Sequence, residues 1–292
     1  MNAPQAKPQR FDRSTEDVGN IVLLEHVNLT QPDQGATTLF YIVALGGTRD
    51  PYMMVGLDNM WINYGRHQLH MPSRDPQPQH LRGTLGFVVP DLALLKARLA
   101  RVAPRLAGTQ FAWRDQGGHV EATCPWGNRV RCHAPAPEFG ATELALAYVE
   151  FDVPPGSAAG IARFYTEIMG APAVLANDRA RVPVGRGQAL VFAETAAPLP
   201  PYDGHHIQIY IADFSAPYGR LLERGLITLE TDAHEWRFRK IVDPHDGQAL
   251  FEVEHEVRSL KHPLYGRPLV NRNPAQTNTA YARGQDAFRG TY

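Results

Sequence analysis

The chain has 292 residues, 43% hydrophobic and 20% charged, with 29 Lys and Arg against 30 Asp and Glu for a formal charge of −1. That length can bury a sizeable core without disulfides or a structural metal, and at roughly 150 residues per domain it predicts two domains. The near-neutral balance offers no footprint for a nucleic-acid backbone or an anionic membrane, so a small-molecule partner is expected instead.

Residues 1–20 form a tail without the apolar stretch of a secretory signal, and no apolar run in the chain approaches the ~20 residues of a membrane span. A cytoplasmic protein is therefore expected, with Cys124 and Cys132 as reduced thiols. The first strand is read at 24–29, followed by a helix around Phe40-Tyr41 that stops at Gly46-Gly47. A second strand at 83–89 leads through Asp91 into a helical run at 92–102. The third, at 147–153, leads into a helix around Phe164-Tyr165 that ends at Gly170. The fourth, at 205–211, is followed by a helix at 218–224 and Gly225. Each start is followed by further alternating strands and Gly-containing hairpin signals, such as Gln116-Gly117-Gly118-His119 and Gly185-Arg186-Gly187-Gln188.

The spacings repeat. His26 to Thr84 is 58 residues and so is Tyr148 to His206; His26 to Tyr148 is 122, as are Thr84 to His206 and Asp91 to Asp213. The chain reads as four βαβββ units, that is, a tandem pair duplicated, giving an α+β fold. The units predict one half over 21–134, a Pro- and Gly-containing linker over 135–144, a second half over 145–257 and an arm over 258–292. The arm has too few apolar groups for a core of its own, which leaves two expectations open: packing on a neighbouring subunit, making a homo-oligomer, or simple disorder.

Four such units carrying LEHVNL, FYTEIMG, HHIQIYIADF and DPHDGQALFEVE resemble the vicinal oxygen chelate superfamily, which includes glyoxalase I, resistance proteins and extradiol dioxygenases. The resemblance covers about residues 21–256. It implies paired units curling into two open barrels around a divalent metal: Fe(II) first, with Zn(II), Mn(II), Ni(II) or no metal as alternatives. It also implies an enzyme acting on a small oxygenated organic molecule, an extradiol-like dioxygenase first. A glyoxalase-like lyase or isomerase, or a metal-free binding or resistance protein, is the alternative.

Strand alternation sorts the side chains. Val27, Ile207, Ile209, Phe251 and Val253 belong to the apolar faces; His26, Tyr148, Glu150, His206, Gln208, Tyr210, Glu252 and Glu254 share the polar ones. If adjacent units pair, the C-terminal barrel gathers a metal set of His206, Glu252 and Glu150, with Gln208 and Glu254 toward substrate. Tyr148, Tyr210 and His26 are then the candidates for proton transfer. The N-terminal barrel offers an alternative site at His26 and His70, while Arg129 and Arg131 there would attract a carboxylate or phosphate of a substrate. No phosphate-binding glycine loop and no GxSxG nucleophile motif is present.

Overall fold

The computed structural model describes residues 11–50, 58–140, 142–267 and 269. All four expected units are found. The first comprises β1 (Ile21–Asn28), α1 (Gln34–Thr37) running on as a π-helical stretch Thr38–Ala44, β2 (Thr48–Arg49), β3 (Asn59–Tyr64) and β4 (His67–Pro72). The second comprises β5 (Gly83–Val88), α2 (Leu92–Val102), β6 (Ala112–Asp115), β7 (His119–Thr123) and β8 (Arg129–His133). The third comprises β9 (Ala145–Val153), α3 (Ala158–Arg163) extended by the π-helical Phe164–Ile168, β10 (Val174–Ala176), β11 (Arg179–Pro183) and β12 (Ala189–Glu194). The fourth comprises β13 (His206–Ile211), α4 (Ser215–Glu223), β14 (Ile227–Asp232), β15 (Glu235–Val242) and β16 (Ala249–Ser259).

Local chemistry explains the elements. Asp91 caps α2 by accepting from the backbone N–H groups of Ala93 and Leu94, at 2.7 and 3.0 Å, satisfying donors that the first turn leaves open. The helix then buries Leu95, Leu99 and Val102, one face at helical spacing. The apolar sides of the strands and helices join in one continuous core running through Val27, Phe87, Phe151 and Ile209. Cys124 and Cys132 are free thiols buried in it. Among the described residues no helix is long and apolar enough to cross a membrane.

The pairing of the units differs from the expected one. Sheet I runs β14-β15-β16-β13-β1-β4-β3-β2, and sheet II runs β10-β11-β12-β9-β5-β8-β7-β6. The first unit thus joins the fourth through antiparallel β1 and β13, and the second joins the third through antiparallel β5 and β9. Neither half of the chain closes on itself, so the predicted 21–134 and 145–257 barrels are not the units of the sheets. The three inter-unit connections span residues 73–82, 134–144 and 195–205, nearly equal in length. Closing β1 on β13, about 180 residues away, rather than on β5, about 58 away, costs only about 1 kcal/mol more in loop entropy, so connectivity leaves both pairings open. The seams decide: Gly83 and Gly86 on β5 make room for the Glu150 carbonyl and the Tyr148 ring of β9, which a Cβ at either position would overlap.

The chain beyond β16 turns back over sheet I. Tyr265 packs on Tyr210 with ring centroids 4.9 Å apart, and Arg267 reaches Asp50 at 3.0 Å and Gln68 at 3.2 Å. As far as Arg267, the arm expected on a neighbour lies against its own sheet; the remainder of that expectation falls outside the described residues.

Candidate metal centre

The polar face of sheet I is built by register. His26 on β1 stands opposite Gln208 on β13 and Gln68 on β4, and Gln208 stands opposite Glu256 on β16. One step along, Asn28 faces His70 on one side and His206 on the other. β1 and β16 flank β13, so their backbones are about 9–10 Å apart at ordinary strand spacing. Nevertheless, donor atoms of His26, His206 and Glu256 all lie within 4.8 Å of one another. The sheet therefore curls toward this face.

A β-bulge between Leu24 and His26 turns Glu25 to the same side. Its carboxylate accepts from His26 Nδ1 at 3.0 Å, which leaves Nε2 of that ring as the free donor atom. His206 approaches Glu256 through Nε2 at 3.4 Å. Two guanidinium groups hold the Glu256 carboxylate, Arg258 at 2.5 Å and Arg237 at 2.6 Å. Arg237 also binds Glu235 and Glu254, and Arg258 also binds Glu235.

The electrostatics suit a cation. The network joins four carboxylates, those of Glu25, Glu235, Glu254 and Glu256, to the guanidiniums of Arg237 and Arg258, leaving two negative charges over. Burial pushes the Glu256 carboxyl upward, but the bond from His206 and the charges of Arg258, His26 and Arg237 outweigh it and hold the group well below the ordinary range. Glu25 is likewise held low against burial by His26, Arg258 and Arg267. Burial lowers His26 despite its two carboxylate neighbours, so the ring is neutral at neutral pH, as a metal ligand must be. Gln208 is wholly buried in the row between His26 and Glu256, with neither amide atom hydrogen-bonded among the described residues. An unmet buried amide costs about 1–3 kcal/mol, so this group also suits a ligand at the triad. Two imidazoles and one carboxylate can hold a metal ion.

His70 lies near but apart. Its ring stacks on Trp61 with centroids 4.0 Å apart, Nδ1 accepts from Asn28 at 2.5 Å, and Nε2 donates to Asn59 at 2.5 Å. Both nitrogens are thus engaged, and burial together with the charges of His26 and His206 lowers the ring to about 2.

Of the expected residues, sheet I brings together His26, His70, His206, Gln208, Tyr210 and Glu254. The two histidines assigned to different barrels, His26 and His206, face each other with ring centroids 5.8 Å apart. Glu252 does not join them. It precedes the stretch of β16 that pairs with β13, and its carboxylate is bound to Arg239 at 2.7 Å. Glu256, two pleats further on, occupies the place expected for it. Tyr148 and Glu150 are also displaced, because their strand belongs to sheet II. There Tyr148 Oη is 3.0 Å from His133 Nε2 and accepts from Arg131 at 3.4 Å, and Glu150 binds Arg179 at 2.7 Å. Burial raises the Tyr148 hydroxyl against the opposing charge of Arg131. Arg129 and Arg131 lie on that same sheet, Arg129 paired with Asp152. The sequence reading missed Glu25, Glu235, Glu256, Arg237 and Arg258. Glu256 continues the polar alternation of Glu252 and Glu254 and was legible as a face; its level opposite Gln208, within reach of both histidines, was not.

No protein-family profile and no curated protein sequence matches the chain. Among solved structures it is similar to glyoxalase I from Zea mays, at 13% identity over 81% of this chain and 92% of that one, with a TM-score of 0.56. A variant of that enzyme aligns over 84% and 95%, also at 13% identity, with a TM-score of 0.57. A candidate dioxygenase from Bacillus subtilis aligns over 82% and 85% at 14% identity, with a TM-score of 0.55. At such identities the likeness is one of architecture. With four βαβββ units in two open eight-stranded sheets, this chain has the vicinal oxygen chelate fold.

Proposed function

We propose that sheet I holds a divalent metal on His26, His206 and Glu256, and that the protein is a metal-dependent enzyme acting on a small oxygenated organic molecule. The excess of two negative charges in the largely buried network around these donors carries the reading, since a divalent cation seated on them balances it. Two histidines and one carboxylate form the set associated with Fe(II) oxygenases, which supports an extradiol-like dioxygenase. When bound, the ion supplies Lewis-acid charge for two neighbouring substrate oxygens and, as Fe(II), the redox chemistry for O2.

The protein's own groups set the conditions. Glu25 orients His26 and fixes its tautomer, and Arg258 and Arg237 fix the Glu256 carboxylate. Gln208 presents an amide for a substrate oxygen or an ordered water. Tyr210, whose hydroxyl burial keeps protonated at neutral pH, is a hydrogen-bond donor on the same strand, two residues from Gln208. Glu254, about a quarter exposed, lies on the accessible side of the site.

Metal analysis of protein purified without a histidine tag tests the reading. About one transition-metal ion per chain is expected, lost in His26→Ala, His206→Ala and Glu256→Gln and kept in Glu252→Gln. Protein that takes up no Fe(II), Zn(II), Mn(II) or Ni(II) when these are offered would refute the site. Oxygen uptake by Fe(II)-loaded protein with a panel of catechols then tests the reaction. Turnover of an oxygenated substrate without O2 would replace oxygenation with lyase or isomerase chemistry.

A further inference from the structure

The strand pairing fixes where an ion held by both His26 and Glu256 must lie. His26 stands on β1 and Glu256 on β16, on either side of β13, and both pair with the same residue of it, Gln208. An ion shared by the two therefore lies over β13 at the level of Gln208, with His206 leaning in from one pleat away. Side chains directly opposite on one face have Cβ atoms about 4.5–5.5 Å apart, within the span of a glutamine.

The amide that rises at this point is uncommitted. Gln208 is wholly buried, and neither Oε1 nor Nε2 has a hydrogen-bond partner among the described residues. Gln68, which flanks His26 from the other side on β4, is satisfied by the protein. Its Nε2 donates to Asp50 at 2.8 Å and Asn63 at 2.5 Å, and its Oε1 accepts from Arg267 at 3.2 Å. Buried Gln188 is satisfied too, by the backbone of Leu24 and Leu146. His70, on the same polar face as the triad, has both ring nitrogens engaged. Of these side chains, Gln208 alone can turn an atom toward an ion without breaking a bond.

The residue type also fits the charge. A glutamate in its place would have the same shape but would raise the surplus of the network from two negative charges to three. An amide oxygen is a neutral, hard donor and leaves the balance with a divalent ion as it is. We infer that Gln208 is a fourth protein ligand of the ion, its Oε1 joining His26, His206 and Glu256. Its Nε2 then remains to donate to an oxygen of the bound substrate. This assignment rests on the reading of the triad as a metal centre.

Zn(II) titration of the chelator-stripped full chain against a competing indicator, with thermal unfolding of the metal-free form, tests it. Gln208→Leu keeps most of the volume and removes both polar atoms. It should bind Zn(II) about tenfold or more weakly, at least the loss seen when a supporting group of a metal site is removed. Its metal-free form should unfold at the parent's temperature or above, because an unmet buried amide is gone. Gln208→Glu restores an oxygen donor of the same length and should bind at least as tightly as the parent. A group that served only to donate to a metal-bound water would fail as a carboxylate, which has no N–H. Equal affinity in Gln208→Leu and the parent would overturn the inference and leave the triad standing. Gln208→Glu binding no better than Gln208→Leu would overturn it as well. So would a metal-free Gln208→Leu that unfolds well below the parent, since the amide would then have partners in the protein itself. A parent that takes up no ion would overturn both the fourth ligand and the metal centre.

Discussion

The seam between β5 and β9 offers a quantitative test of how the units pair. A Cβ added at Gly83 would overlap the carbonyl oxygen of Glu150 and lie 2.8 Å from its carbon and 3.0 Å from Phe151 Cα. These are backbone atoms of the neighbouring strand, so relief requires the strands to separate. We predict that Gly83→Ala costs about 3 kcal/mol or more, at the upper end of overpacking because no side chain can give way. At Gly86 the added group would meet the Tyr148 ring, which can swing aside at the expense of its hydrogen bond with His133. Gly86→Ala should therefore cost about 1–3 kcal/mol. In a Tyr148→Ala background the same change should cost less than about 0.5 kcal/mol, a coupling that only residues in contact show. Gly118→Ala, at a hairpin tip where the new Cβ meets nothing within 4 Å, is the control. Urea and thermal unfolding followed by circular dichroism would read the series; for a chain of this size 1 kcal/mol moves the midpoint by roughly 2–4 °C. If Gly83→Ala unfolds with the control, or if Gly86 and Tyr148 are uncoupled, the second and third units do not pair as described.

Three further outcomes follow from the same geometry. Glu25→Gln should weaken metal binding about 10- to 100-fold while leaving the unfolding midpoint of metal-free protein within a few degrees; unchanged affinity in a chelator competition would remove Glu25 from the site's support. Acidification should destabilise the metal-free protein before any carboxylate titrates. Burial holds His67 at about 4, His70 at about 2 and His255 at about 3, so the unfolded chain takes up protons from pH 6.5 downward that the folded chain refuses. Folding free energy should then fall by roughly 3–4 kcal/mol between pH 7 and 5.5, with Glu25 and Glu256 adding to the loss only below about pH 4.5; a flat profile over the first interval would contradict these burials. Finally, Arg267→Met leaves the wholly buried Asp50 carboxylate without its guanidinium and should cost about 3–5 kcal/mol in urea unfolding, whereas a loss below about 1 kcal/mol would show that the turn after β16 is not anchored there.

Much of the fold was legible in the chain because repetition is a property of sequence. The 58- and 122-residue spacings locate all four first strands, Asp91 marks the start of α2, and two-residue alternation separates Ile207 and Ile209 from His206 and Gln208. The same alternation places Glu252, Glu254 and Glu256 on one face, but it carries no information on register. Which of the three comes within reach of both histidines depends on a parallel pairing between residues about fifty positions apart, and the side chains alternate identically under a two-residue slip. Glu25 is hidden for another reason: a bulge reverses its direction, and nothing in Leu24-Glu25-His26 announces one.

By itself, then, the sequence determined four units of one kind, two polar faces and the residues able to stand on each. Only the tertiary structure decided which unit joins which, because the loop-entropy difference between the two pairings is only about 1 kcal/mol and the choice falls to the strand seams. That choice is what assembles the site. It brings His26 from the first unit to His206 and Glu256 of the fourth, and gathers the arginines of the second unit beside Tyr148 of the third. Behind a formal charge of −1 over the whole chain, one face thus carries a local surplus of two negative charges and the other a local surplus of arginine.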